Sequence, residues 1–164
     1  MTFLSIAFAV FLVGFASVSG AGCKPNCPKC PPLWTFYDGH CYRFFGATKT
    51  FREAEKNCQR YVQLGEGHLV SLTSKAEEEL VYMILKTSVG TLSREMWNGL
   101  NDEKREGTFV WTDGSDLSYS NWASRQPDNS GNRQDCVCMR SGTGWNDVPC
   151  TSRMSYVCKM LTTK

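Results

Sequence analysis

The hydrophobic pattern changes character along the chain. Residues 3–18 are nearly all apolar and carry no charge. Between 33 and 45, aromatic and polar residues alternate around Asp38-Gly39. That is the period of half-buried strands on either side of a two-residue turn, and it predicts a hairpin. From 50 to 90 the period lengthens to that of a helix. Thr50 followed by Glu53 is a capping-box pattern, a hydroxyl acceptor three residues ahead of a Glu. It predicts a helix through about Tyr61, with Phe51, Ala54, Cys58 and Tyr61 on its core face. Residues 68–72 read as a short strand. Ser74 with Glu77 repeats the capping box, and the helix it opens carries Leu80, Ile84 and Leu85 at helical spacing, with Gly90 just past its end. After residue 95 the helical period disappears. Short apolar pieces at 96–100, 108–112, 136–140 and 154–160 are separated by Asn, Asp, Gly and Ser, and read as strands of an antiparallel sheet. A long polar segment fills 118–134, and a loop of that length inside a compact domain is usually functional or disordered. The pattern implies an α+β domain with two helices early, sheet late and one long loop.

Length and composition narrow this further. The 164 residues suffice for one ordinary domain. Residues 1–20 read as a secretory signal peptide: a short apolar run at the extreme N-terminus ends in the small residues Val18-Ser19-Gly20, although no Lys or Arg precedes it. No other segment is apolar and long enough to span a bilayer, so a secreted, extracellular protein is expected. All nine cysteines come after the signal, and cysteine this dense in a secreted chain implies a disulfide framework. Nine is odd, so at least one thiol is free or joins a second chain, which points to a disulfide-linked homodimer. A net charge of +2 with no basic run argues against nucleic acid. His40 and His68, the only histidines, sit in no recognisable catalytic motif, and no Gly-rich phosphate loop is present, so an enzyme is not expected. Residues 21–29 form a Cys/Pro-rich lead-in. Its Cys27-Pro28-Lys29-Cys30 also has the spacing of a redox pair or, with Cys23, of three-quarters of a zinc site, but a disulfide framework explains it better.

The second half concentrates oxygen-bearing side chains: Asp102, Glu106, Gln126, Asp128, Asn129, Gln134, Asp135, Asn146 and Asp147. Calcium takes six to eight oxygens and mixes carboxylates with amide carbonyls. By type alone these residues are equally those of turns. Their order decides the matter. Trp97-Asn98-Gly99-Leu100, then Gln126-Pro127-Asp128, then Trp145-Asn146-Asp147 running into Val148-Pro149-Cys150, together with the cysteine spacing, resembles the C-type lectin domain family over residues 30–160, leaving 161–164 as a tail. In that family the first motif is Trp-Ile-Gly-Leu, so Asn98 is a departure.

The resemblance implies the C-type lectin-like fold, a calcium-binding long loop, and pairing of Cys30 with Cys41, Cys58 with Cys158 and Cys136 with Cys150. Cys23, Cys27 and Cys138 remain unassigned. Bridges from Cys23 or Cys27 to Cys138, or between Cys23 and Cys27, all stay open. It also implies a primary site where calcium and sugar meet, formed by Gln126, Asp128, Gln134, Asn146 and Asp147. An auxiliary calcium site would use Asp102, Glu106, Asn129 and Asp135. The peptide bond before Pro127 is expected to be cis. Gln-Pro-Asp is the family's galactose-type tripeptide, which implies a galactose or N-acetylgalactosamine binder acting in innate recognition or agglutination. The ion's shell would be completed by two adjacent sugar hydroxyls, with amides donating to them and carboxylates accepting. Two departures bear on this. Gln134 stands where the family usually has Glu, so the primary site holds two carboxylates and only neutralises the ion. Ser130 stands where galactose binders often have a stacking aromatic, which leaves Trp122 as a candidate for that role. The alternative function is a protein-, ice- or mineral-binding module on the same fold.

Overall fold

The computed structural model describes residues 30–61, 67–90 and 95–162. The expected signal peptide, the lead-in with Cys23 and Cys27, and the end of the tail lie outside them. The elements run β1 (Thr35–Tyr37), β2 (His40–Lys49), α1 (Phe51–Cys58), β3 (His68–Leu69), α2 (Lys75–Val89), β4 (Met96–Asn101), β5 (Val110–Trp111), β6 (Cys136–Arg140), β7 (Gly144–Val148) and β8 (Met154–Leu161).

The hairpin forms as its sequence predicts. Asp38 and Gly39 both adopt positive φ, 41° and 76°, as a two-residue turn that matches strand twist requires. Helix α1 has the full capping box: Glu53 N–H donates to the Thr50 hydroxyl, and the Thr50 N–H donates to the Glu53 carboxylate. It ends at Cys58, before Tyr61. Helix α2 keeps only half of its predicted box. Ser74 caps the Glu77 amide at 3.2 Å, but the Glu77 carboxylate turns inward to Lys159, Tyr42 and Thr73. Its buried stripe is Glu77, Glu78, Val81 and Leu85, while Leu80 and Ile84 are only half-buried. Gly90 closes it in the left-handed conformation.

One eight-stranded sheet runs in the order β1-β2-β8-β4-β6-β7, with β3 beside β8 and β5 beside β4. It is mixed, not antiparallel throughout: β4 and β8 pair in parallel, Met96 with Ser155 and Trp97 with Tyr156. Side chains alternate between its two faces. Trp97, Cys136, Cys138, Tyr156 and Cys158 pack with Phe51 and Ala54 of α1. Met96, Leu100, Val137, Met139 and Val157 pack with Val81 and Leu85 of α2. Each helix therefore covers one face, and the core is continuous through the central strands.

Among the described residues, three disulfides staple this framework: Cys30–Cys41, Cys58–Cys158 and Cys136–Cys150. The second closes a span of 100 residues and ties α1 to β8. Cys138 carries a free, buried thiol, so it forms neither of the bridges open to it from sequence. Burial, and then the Glu95 charge, push that thiol up to about 12.

Candidate functional site

Strand β7 and the long loop before β6 build the site together. Gly144–Val148 was not predicted as a strand, because its Asn and Asp read as turn formers and metal ligands. Its pairing with β6 sets Asn146 opposite Cys138 and Asp147 opposite Val137. The loop returns along its other side. Asn121 C=O accepts from Trp145 N–H at 2.7 Å, and Ala123 N–H donates to Trp145 C=O at 2.8 Å. This approach is so close that a Cβ on Gly144 would lie 2.5 Å from the Asn121 carbonyl oxygen, and Gly144 also has φ +95°, so only glycine fits.

Past Ala123 the loop turns through Arg125 at positive φ and reaches Gln126-Pro127, whose peptide bond is cis. Asp147 pins the two residues after Pro127. It is 1% exposed, and its two oxygens accept from the backbone N–H groups of Asp128 at 3.1 Å and Asn129 at 2.7 Å. Ser130 N–H donates to both Asp128 and Gln134. Asn129 accepts from Gln134 N–H through Oδ1 and donates to Glu106 through Nδ2 at 2.6 Å. Asp102 lies just past β4, where its amide donates to Asp135 C=O and its Oδ2 accepts from Gly107 N–H.

The fold thus joins the loop residues Asp128, Asn129 and Gln134 to Asp147, Glu106 to Asn129, and Asp102 to Asp135 through the backbone. Asn146 is half-buried beside Asp147. Trp122 is half-buried, with its ring edge-on to Phe109 and Trp145, so it is committed to the interior side of the loop. Ser130 is exposed.

The electrostatics of this cluster are those of unneutralised acid. Burial first, against the pull of the Gly107 amide, and then the charges of Asp135 and Asp147, raise the Asp102 carboxyl above its ordinary range. Glu106 is raised too, by partial desolvation and then by Asp102, Asp135 and Asp147. Two oxygens of the candidate ligands are buried without a hydrogen-bond donor, Gln126 Oε1 and Asp102 Oδ1. A buried acceptor left without a donor costs about 1–3 kcal/mol. Hard cations, one at each oxygen, are the partners that would satisfy them and relieve the repulsion. The donors are all oxygens, as calcium requires. The one tight cluster of thiols and acids among the described residues, Glu103 with Cys136 and Cys150, contains a disulfide and offers no thiolate.

One residue of the site's support was not predicted. Glu78 is a buried carboxylate under the sheet's α2 face, and it accepts from Trp145 Nε1 at 2.6 Å. The spacing of Glu78, Val81 and Leu85 was the available signal, since it places Glu78 on the same helical stripe as two core residues.

The family model for the Lectin C-type domain matches residues 47–160. The chain belongs to the C-type lectin domain family. An alpha-N-acetylgalactosamine-specific lectin of Patiria pectinifera is 46% identical, over 99% of this chain and 99% of its own length. The C-type lectin CEL-I from Cucumaria echinata superposes with a TM-score of 0.75 at 37% identity, covering 80% of this chain and 96% of that one. A calcium-independent type II antifreeze protein superposes at 0.73 with 25% identity, covering 85% and 99%. This C-type lectin domain has a family and fold that are non-catalytic. Among its described residues no helix is long and apolar enough to cross a membrane.

Proposed function

We propose that this protein is a secreted, calcium-dependent lectin for galactose-type sugars, with N-acetylgalactosamine among them. The observation that carries the reading is the pair of buried, donorless oxygens, Gln126 Oε1 and Asp102 Oδ1, one in each expected shell. Gln126, Asp128, Gln134, Asn146 and Asp147 would hold the primary ion, and Asp102, Glu106, Asn129 and Asp135 the auxiliary one. Calcium, when bound, supplies coordination positions for two vicinal hydroxyls. The side chains do the rest. The Gln126 and Asn146 amides donate to those hydroxyls, and Asp128 accepts from them. Asp147 keeps the loop and β7 in register. The specificity in the Patiria relative's name supports the galactose-type reading of Gln126-Pro127-Asp128.

Exposed Ser130 provides no stacking surface, and Trp122 is packed inward. Recognition therefore rests on the hydroxyl contacts, and single-site affinity is low. Since Cys138 is buried, an interchain disulfide would fall to Cys23 or Cys27. Two linked sites gain avidity of about a hundredfold or more, which suits agglutination and recognition of microbial surface glycans in innate immunity.

The likeness to a calcium-independent antifreeze protein favours one second reading, a non-sugar surface binder on this fold. Retention on galactose resin separates the two. The lectin reading expects elution by galactose and by a chelator; retention that neither reagent reverses, or no retention in calcium, refutes it.

A further inference from the structure

Glu78 is 3% exposed on the first turn of α2. Among the described residues no Lys, Arg or His pairs with it; four neutral donors do. Oε1 accepts from Trp145 Nε1 at 2.6 Å and from Tyr82 at 3.3 Å. Oε2 accepts from the Tyr119 hydroxyl and the Asn121 side-chain amide, each at 2.9 Å. Burying a carboxylate without a cation is costly and is tolerated only where its hydrogen bonds are complete. The three stronger bonds all leave the helix. Two go to the long loop and one to the strand that carries Asn146 and Asp147.

These are the two segments whose relative position defines the site. Trp145 directly precedes Asn146-Asp147. Tyr119 and Asn121 lead, through the backbone bonds between Asn121, Ala123 and Trp145 and the Gln126 N–H to Ala123 C=O bond, into Gln126-Pro127-Asp128. At the far end Asp147 holds the amides of Asp128 and Asn129. The loop is therefore clamped to β7 at two points by two carboxylates, and only Asp147 is itself an expected ligand.

We infer that Glu78 is a positioning residue: from behind the site it fixes the long loop against β7, and so sets the spacing between Gln126/Asp128 and Asn146/Asp147 on which calcium and sugar binding depend. Its effect on ligand binding rests on the proposed function; the clamp itself does not. A glutamine at position 78 keeps one carbonyl oxygen for Trp145, which can only donate, but turns an NH₂ toward Tyr119 and Asn121, so both loop bonds must reverse direction and every bond loses its charge assistance.

The test is Glu78→Gln in the full chain, followed by amide hydrogen exchange in chelator. Protection at Gln126, Asp128 and Asn129 should fall by at least about tenfold, while amides of the β2–β8 pairing keep theirs. In calcium, the variant should bind the ion at least about tenfold more weakly, the range seen when the partner behind a metal ligand is removed. Unchanged loop protection, or an equal loss throughout the sheet, overturns the inference. If wild type binds no calcium, the proposed function fails, while the exchange result in chelator still decides the clamp. If Glu78→Gln does not fold, Tyr119→Phe removes one loop bond and should give the same regional pattern at lower amplitude; a uniform or absent change there overturns the clamp equally.

Discussion

Replacing Asp147 with Asn separates its two roles, ligand and loop pin. The carboxylate receives one amide on each oxygen, Asp128 N–H at 3.1 Å and Asn129 N–H at 2.7 Å, at 1% exposure. An asparagine in the same rotamer keeps its carbonyl for Asn129, the shorter bond, and turns an NH₂ toward the Asp128 N–H. One charge-assisted hydrogen bond is lost and a loop amide faces another donor, a change of about 2 kcal/mol. In a domain of about 130 residues that lowers the thermal midpoint by roughly 7 °C. The fall should appear in chelator, where removing a carboxylate that served only as an ion ligand would ease the repulsion on Asp102 and Glu106 and leave the midpoint unchanged or higher. With calcium present the gap should widen, because the primary shell falls from two carboxylates to one and affinity drops by more than about tenfold. Scanning calorimetry in chelator and in calcium gives both numbers. A chelator midpoint within about 1 °C of wild type would refute the pinning argument.

Other residues give sharper single outcomes. Gln134→Glu keeps an oxygen for the Ser130 amide and adds a third charge to the primary shell, so calorimetric titration should show calcium binding about tenfold tighter. Lys159→Met strands the Glu77 carboxylate, which Lys159 meets at 2.6 Å, and should cost about 3–5 kcal/mol in urea unfolding at neutral pH. Burial opposes the Glu77 charge, but Lys159, Tyr42 and the Thr73 amide outweigh it and hold this carboxyl below its ordinary value of 4.5. A lowered carboxyl contributes stability above that value and loses it as pH falls through the folded one, so the wild-type urea midpoint should decline on acidification below about pH 4.5, and Lys159→Met should flatten the decline. The Cys138 thiol, pushed up to about 12 by burial, should resist alkylation at pH 8 in the native protein and react on unfolding, as peptide mapping would show.

Local grammar made much of this fold legible in sequence. The Asp38-Gly39 turn, the Thr50–Glu53 capping box, the Gly90 terminator and the stripe led by Phe51 and Ala54 each rest on contacts within a few residues. What escaped depends on distant partners. The Glu77 carboxylate leaves its capping box because Lys159 and Tyr42, remote in sequence, draw it inward. The parallel pairing of β4 with β8 joins segments about sixty residues apart, and no local period records it. Strand β7 was hidden because Asn146 and Asp147 are turn formers by propensity, and they are held extended by the loop on one side and β6 on the other. Within the site, residue order identified the candidate ligands. The structure adds how they are held, with Asp147 pinning amides in front and Glu78 gripping the loop from behind.

Calcium-dependent recognition of galactose-type sugars can be read from a glycan array run in calcium, then in chelator, then with calcium restored. Binding to terminal galactose and N-acetylgalactosamine over mannose is expected, lost in chelator and regained with calcium. The same pattern in chelator, or no glycan bound in calcium, would contradict the lectin reading.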